Sequence, residues 1–177
     1  NELNELPCLK EPSNNFFMGT GFDIHAFEDN KEMFLGGIKL PYEFGFKAHS
    51  DGDVLIHSVI DALLGAIGDG DIGEFFPDTD DKYKNIDSKI LLEHIVTFVY
   101  NVGYEIVNID TTIIAQKPKI NPFKDEIKSS MAKLLKIEKQ FINIKATTAE
   151  KMGFIGRAEG VAVQSIATVK YYNWKTK

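Results

Sequence analysis

The chain has 177 residues, with 44% hydrophobic and 26% charged residues and a formal net charge of −6. That mixture fits one globular domain with a core large enough to need no staples. The acidic balance argues against a nucleic-acid binder, and no apolar run approaches the roughly 20 residues that span a bilayer. The single cysteine, Cys8, excludes an internal disulfide and a thiolate metal site.

Residues 1–15 show no hydrophobic periodicity and no initiator Met, and read as a flexible tail left by processing of a precursor. The domain is expected over 16–177. Residues 16–26 read as a strand that carries Gly21-Phe22-Asp23-Ile24-His25. Side chains on a strand alternate faces, so Asp23 and His25 point one way and Ile24 the other. Residues 33–46 read as two short strands or one bulged hairpin, with Gly36-Gly37 and Pro41-Tyr42 as punctuation. His49-Ser50-Asp51-Gly52-Asp53 is a turn rich in capping residues, opening a helix over 53–67. That helix is apolar nearly all round, and Asp53, His57 and Asp61 recur every four residues along one polar seam.

The Gly- and Asp-rich stretch 68–86 reads as a long loop, a kind of segment that is often functional. Asp87-Ser88 caps a helix to about Asn101, beside whose apolar stripe His94 reads as an ordinary helix histidine. Strands are expected over 104–116, 141–148 and 161–172. A helix with Pro122 at its first position follows the loop at 117–120, and a turn with one helical turn spans 149–160. The pattern gives an α/β (α+β) two-layer sandwich: a mixed sheet of about four strands with helices on one face. Ile109, Thr111, Ile113 and Ala115 alternate with Asp110, Thr112, Ile114 and Gln116, so neither sheet face is strongly polar. An uncovered apolar face predicts an oligomer.

Four constellations could carry chemistry. Asp23, His25 and His57 would form a three-ligand zinc site with an open position, with Asp61 as an orienting partner; a salt-linked Asp–His pair beside an unrelated histidine fits the spacing equally well. Thr147-Thr148-Ala149-Glu150 could cradle a phosphate and hold a second cation, or simply cap a turn. Residues 115–120 could read a base through the main chain, or be an exposed basic loop. The only arginine, Arg157, stands two residues from Glu159, where an ion pair would need no ligand.

Together these pieces resemble the 2-C-methyl-D-erythritol 2,4-cyclodiphosphate synthase family. The resemblance runs through Gly21–Phe27, Ala48–His57, Asp61–Gly65, Gly70–Gly73, Phe76–Asp80, Ala115-Gln116 with Pro118-Lys119, Lys145–Glu150 and Gly156-Arg157. What it implies is a homotrimeric phosphorus–oxygen lyase with sites between subunits. Such an enzyme cyclises 4-diphosphocytidyl-2-C-methyl-D-erythritol 2-phosphate and releases CMP, in the non-mevalonate isoprenoid pathway. Carried over, Asp23, His25 and His57 match the zinc ligands and Glu150 the Mg²⁺ or Mn²⁺ position. His49 and Thr148 match the positions that stabilise the transition state. Ser50, Asp71, Ile72, Gly73, Phe76, Asp78 and Asp80 match phosphate and methylerythritol contacts. Ala115, Gln116, Lys117, Pro118, Lys119, Ile120 and Asn121 match the cytidine loop, Thr147 and Thr148 the diphosphate turn, and Phe154 and Arg157 further ligand contacts. Asp69, Asn121, Ala149 and Ala158 depart from the family pattern at loop positions.

The residues also admit two rivals: a zinc phosphohydrolase of a nucleotide-linked substrate, and a non-catalytic nucleotide-binding module with a structural zinc. No nucleic-acid or membrane partner is expected. The Met-less start and the Asn and Lys richness lean towards a plastid stroma of apicomplexan type, with bacterial cytoplasm as the alternative.

Overall fold

The computed structural model of the chain describes residues 15–77 and 79–173. The expected tail, including Cys8, and the site candidate Asp78 lie outside the described residues. Strand β1 (Phe16–Asp29) is longer than the sequence pattern indicates, because its last three residues pair with β4 (Phe44–Phe46). Between them, β2 (Met33–Leu35) and β3 (Ile38–Leu40) form a separate two-stranded hairpin. Helices α1 (Val54–Ile67), α2 (Ile72–Phe75) and α3 (Ser88–Asn101) follow, then β5 (Tyr104–Ile114), α4 (Lys124–Leu135), β6 (Ile142–Thr147), α5 (Gly153–Gly156) and β7 (Gly160–Tyr171). The main sheet has the order β4-β1-β7-β5-β6; β5 and β6 are parallel and the other neighbours antiparallel. Its four long strands and the helices packed on one face match the expected sandwich. The stretch expected to be loop contains α2, a single turn capped by Asp71 that is too short to show periodicity.

The C-terminal ends of β1, β5 and β6 lie at one edge of the sheet, because β1 and β5 each run antiparallel to β7 and β6 runs parallel to β5. Asp23 and Ile113 both pair with Val163, which puts β1 and β5 about 10 Å apart at that row. The motif residues of three strands therefore gather at one rim.

Helix α1 is the centre of the core. Ten of its residues are buried, among them Leu55, Ile56, Ile60, Leu63 and Leu64; each such side chain contributes about 1.5–3 kcal/mol when fully buried. It packs on β1 with almost no gap. A Cβ built on Gly19 would lie 2.2 Å from the Ala62 carbonyl oxygen, and one on Gly21 would lie 1.9 Å from that of Ser58. Beneath the helix, Ser58 Oγ meets Ser165 Oγ on β7 at 2.6 Å, and Ser165 meets Thr111 Oγ1 on β5 at 3.0 Å. All three hydroxyls are buried. At the N-terminus of α1 the fully buried Asp53 accepts from Gly36 N, Gly37 N and Ile56 N at 2.9, 2.7 and 3.0 Å. Burial pushes its pKa up, opposed by those donors. One carboxylate thus caps the helix and fastens the β2–β3 hairpin to it.

The opposite sheet face carries Phe16, Met18, Phe22, Ile24 and Ile166, all exposed, with Thr20, Gln164, Asp110 and Lys145 among them. Gly21→Ala would force α1 away from β1. Urea unfolding of that variant should show a loss of about 3 kcal/mol; a change below about 0.5 kcal/mol, the ordinary surface range, would show that the helix is not pinned there.

Candidate metal centre

Asp23, His25 and His57 come together as the strand and helix periods predict. One ligand atom from each lies within 4.8 Å of the others. His25 Nε2 and His57 Nδ1 approach the same oxygen, Asp23 Oδ2, at 3.0 and 3.2 Å. The side chains are 26%, 13% and 12% exposed in the order Asp23, His25, His57, so the cluster is largely shielded from solvent.

The outer contacts decide what this cluster can hold. His25 Nδ1 lies 2.9 Å from the Gly52 carbonyl oxygen, which can only accept, so Nδ1 carries the proton. In the neutral ring Nε2 then presents a lone pair to a carboxylate oxygen. That contact is repulsive unless a proton or a metal cation lies between them, and imidazole and carboxylate donors suit zinc. His57 Nε2, on the side away from Asp23, lies 3.0 Å from Ser88 Oγ and 3.2 Å from Ser50 Oγ. The residues fit a divalent cation.

Electrostatics point the same way. Burial alone would raise the Asp23 pKa, but hydrogen bonds from both imidazoles outweigh it and hold the carboxyl well below the usual range. Burial would lower His25, but its hydrogen bond to Asp23 raises it. Asp61 does not reach His57 as an orienting partner. Its Oδ1 instead accepts from Ile72 N at 2.8 Å and secures α2, and burial raises its pKa.

The cluster forms the floor of a cavity of about 350 Å³. His49, Ser50, Ile72, Gly73 and Phe76 line it, as the sequence indicated; Lys47, Tyr83, Ile86 and Leu91 also line it and carried no sequence signal. His49 Nε2 is buried without a hydrogen-bond partner. A second cavity, of about 450 Å³, is lined by Ala115, Gln116, Pro118, Lys119, Ile120, Asn121, Thr147 and Thr148, among others. Thr148 Oγ1 donates to Glu150 Oε1 at 2.6 Å, and Glu150 sits in the left-handed region at φ 49°, a strained conformation often kept at functional turns.

The two candidates for transition-state contact, His49 and Thr148, therefore line different cavities of one chain. Lys117 is in the loop of the second cavity but not among its lining residues. Asp71 and Asp80 lie outside both linings and accept from Glu74 N and Lys82 N. Phe154 and Arg157 are exposed and also outside them; Arg157 is paired with Glu159 at 2.6 Å. His94 packs edge-on against Phe76, as an ordinary helix histidine would.

The profile of the YgbB family matches residues 16–170. The chain is 84% identical over 176 residues to the bifunctional enzyme IspD/IspF of Aliarcobacter butzleri (strain RM4018), covering 99% of this chain and 47% of that protein. It is 56% identical over 173 residues to the protein of the same name from Sulfurimonas denitrificans, covering 98% and 45%. The chain thus spans about half the length of the curated relatives it matches. Among solved structures it is similar to the bifunctional IspDF of Campylobacter jejuni (TM-score 0.90, 49% identity, 93% of this chain and 44% of that one). It is also similar to an IspF of Plasmodium falciparum in a CDP complex (TM-score 0.79, 33% identity, 91% and 99%).

The metal-free protein should show the cluster in its pH dependence. His25 has its pKa raised above its ordinary 6.5, so its contribution is complete below that pH and lost as pH rises through the raised value. Asp23 is depressed below its ordinary 3.8, so its contribution is present above that pH and lost as pH falls towards the folded-state value. Between these limits stability should form a plateau. Thermal unfolding should show a Tm that falls as pH rises above 6.5, a fall that Asp23→Asn abolishes; an equal fall in both proteins would place its origin elsewhere.

Proposed function

The chain belongs to the YgbB family, and from that premise we propose that it is a 2-C-methyl-D-erythritol 2,4-cyclodiphosphate synthase unit. Its substrate would be 4-diphosphocytidyl-2-C-methyl-D-erythritol 2-phosphate and its products the cyclic diphosphate and CMP. The observation that carries the reading is the convergence of two imidazoles on one carboxylate oxygen at the floor of a cavity. The chemistry is an in-line displacement: an oxygen of the 2-phosphate bonds to the β-phosphorus while the bond from that phosphorus to the CMP oxygen breaks. The attacking phosphate is already ionised at neutral pH, so no general base is required.

Asp23, His25 and His57 would hold Zn²⁺, and Glu150 a Mg²⁺ or Mn²⁺. When bound, these ions supply neutralisation of the two mutually repelling phosphates and of the departing CMP. The rest falls to the chain's own groups. His49, with Nε2 buried and unpartnered, is placed to donate to a phosphate oxygen. The Ser50 hydroxyl stands beside it in the cavity. Ile72, Gly73 and Phe76 form a wall against which the methylerythritol carbons can pack. Residues 115–121, with Thr147 and Thr148, offer main-chain and hydroxyl groups to a cytidine diphosphate. The Plasmodium relative is in a CDP complex, which supports a nucleotide in that second cavity.

Since His49 and Thr148 line separate cavities, we take the complete site to be built from two copies, the first cavity of one facing the second of its neighbour. The exposed apolar strip of Phe16, Met18, Phe22, Ile24 and Ile166 supports association, and a homotrimer is the state proposed. The bacterial relative at 84% identity, against 33% for the Plasmodium protein, supports bacterial cytoplasm. The plastid reading gains no support from it.

Incubation of the zinc- and magnesium-loaded protein with the diphosphocytidyl substrate, followed by phosphorus NMR, should give CMP and a cyclic diphosphate in equal amounts. Inorganic phosphate or a linear product would favour the hydrolase instead. His57→Ala should lower kcat/KM by on the order of 10³-fold, equivalent to several kcal/mol of charge stabilisation. Light scattering should give a mass about three times the 19.9 kDa of the chain; a monomer with full activity would overturn the two-copy site.

A further inference from the structure

Ser88 is not among the residues that the sequence marks for function. It is the first residue of α3, follows the N-cap Asp87, and is fully buried. Its Oγ lies 3.0 Å from His57 Nε2, and its hydroxyl donates to Asp51 Oδ1 in a short hydrogen bond. Asp51 Oδ2 also accepts from Ser88 N at 3.1 Å, and Asp51 Oδ1 from Asp53 N at 3.2 Å. Asp51 is thus fixed from both the turn before α1 and the start of α3.

We infer that Ser88, held by Asp51, is a positioning residue that sets the tautomer of His57 for the metal centre proposed above, and the inference rests on that reading. A serine hydroxyl has one proton. Ser88 gives its proton to a carboxylate, so towards His57 its oxygen can only accept. His57 therefore keeps a proton on Nε2, and its Nδ1, like Nε2 of His25, is the nitrogen left to share a proton or a cation with Asp23. Ser50 cannot do this alone. Its Oγ is 3.2 Å from the same nitrogen and accepts from Gly52 N, but its own proton has no other fixed acceptor among the described residues. It could donate to Nε2 as readily as accept. In that alternative, Nδ1–H of His57 would bond to Asp23 and close the site to a cation.

The same arrangement frees Ser50. Once Ser88 accepts the Nε2–H hydrogen bond of His57, the Ser50 hydroxyl is available to a ligand in the cavity. It also ties the metal centre to the stretch 68–87. Ser88 ends that segment, Asn85 N donates to His49 O at 2.7 Å, and Asp51 N donates to Ile86 O at 3.1 Å. Second contacts of this type commonly change metal affinity by roughly 10–100-fold when removed.

The test needs no variant for its first arm. In metal-free wild-type protein at pH 8, long-range proton–nitrogen NMR of the His57 ring should show Nε2 protonated; a ring protonated on Nδ1 alone would overturn the inference. In the second arm, chelator competition should give Ser88→Ala a zinc Kd roughly 10–100-fold above wild type, with His57 now a mixture of tautomers. Ser88→Thr, which keeps the hydroxyl, should restore most of the affinity even where the extra methyl lowers Tm. A zinc Kd for Ser88→Ala within twofold of wild type would also overturn it. If wild-type protein binds no zinc, the metal reading fails, and the tautomer still reports separately on Ser88.

Discussion

The close approach of α1 to β1 is the constraint on which the rest of the molecule depends. Two glycines with no room for a Cβ let the helix backbone rest on the strand. A buried ladder of hydroxyls, Ser58 to Ser165 to Thr111, then fixes how far along the sheet the helix sits. His57 precedes Ser58, and Asp23 and His25 follow Gly21 on β1. The register that buries the apolar helix is therefore the register that assembles the candidate metal centre. A slip of one residue on β1 would turn both ligands to the outer face.

That arrangement explains why so many polar groups are buried around an apolar helix. Asp53 and Ser88, fully buried, and the half-buried Asp51 would each be costly if unpaired. Each instead satisfies several partners from different elements: Asp53 joins the hairpin to α1, Asp51 joins the turn before α1 to α3, and Ser88 joins α3 to His57. Network members of this kind make the site rigid, because moving one leaves another unsatisfied. The histidines are the exception by design. His25 has its outer proton fixed by a carbonyl that can only accept, so its inner nitrogen is at ease only with a proton or a cation beside it.

The fold was largely legible because its long elements carry strong periods. α3 begins and ends within a residue of its expected bounds, and β5, β6 and β7 within two. Asp23 and His25 were legible from the two-residue strand period, and His57 from the single polar seam on an apolar helix. What was not legible depends on tertiary contact. The extension of β1 exists because β4 pairs with it. α2 is one turn anchored by Asp61, whose carboxylate accepts from that turn instead of orienting His57. Ser88 looked like half of a helix cap, and nothing in its spacing reveals that it reaches a histidine 31 residues earlier. The separation of His49 and Thr148 into two cavities is likewise a property of the sheet order and not of either motif.

The central claim is that two imidazoles and one carboxylate on α1 and β1 together hold a single divalent cation. Zinc-edge X-ray absorption on protein loaded with one equivalent of zinc tests it directly. The account predicts a signal from two imidazole nitrogens and a carboxylate oxygen, with the remaining position occupied by an exchangeable oxygen, and its loss in Asp23→Ala. A spectrum with fewer than two imidazoles, or one unchanged in Asp23→Ala, would contradict it.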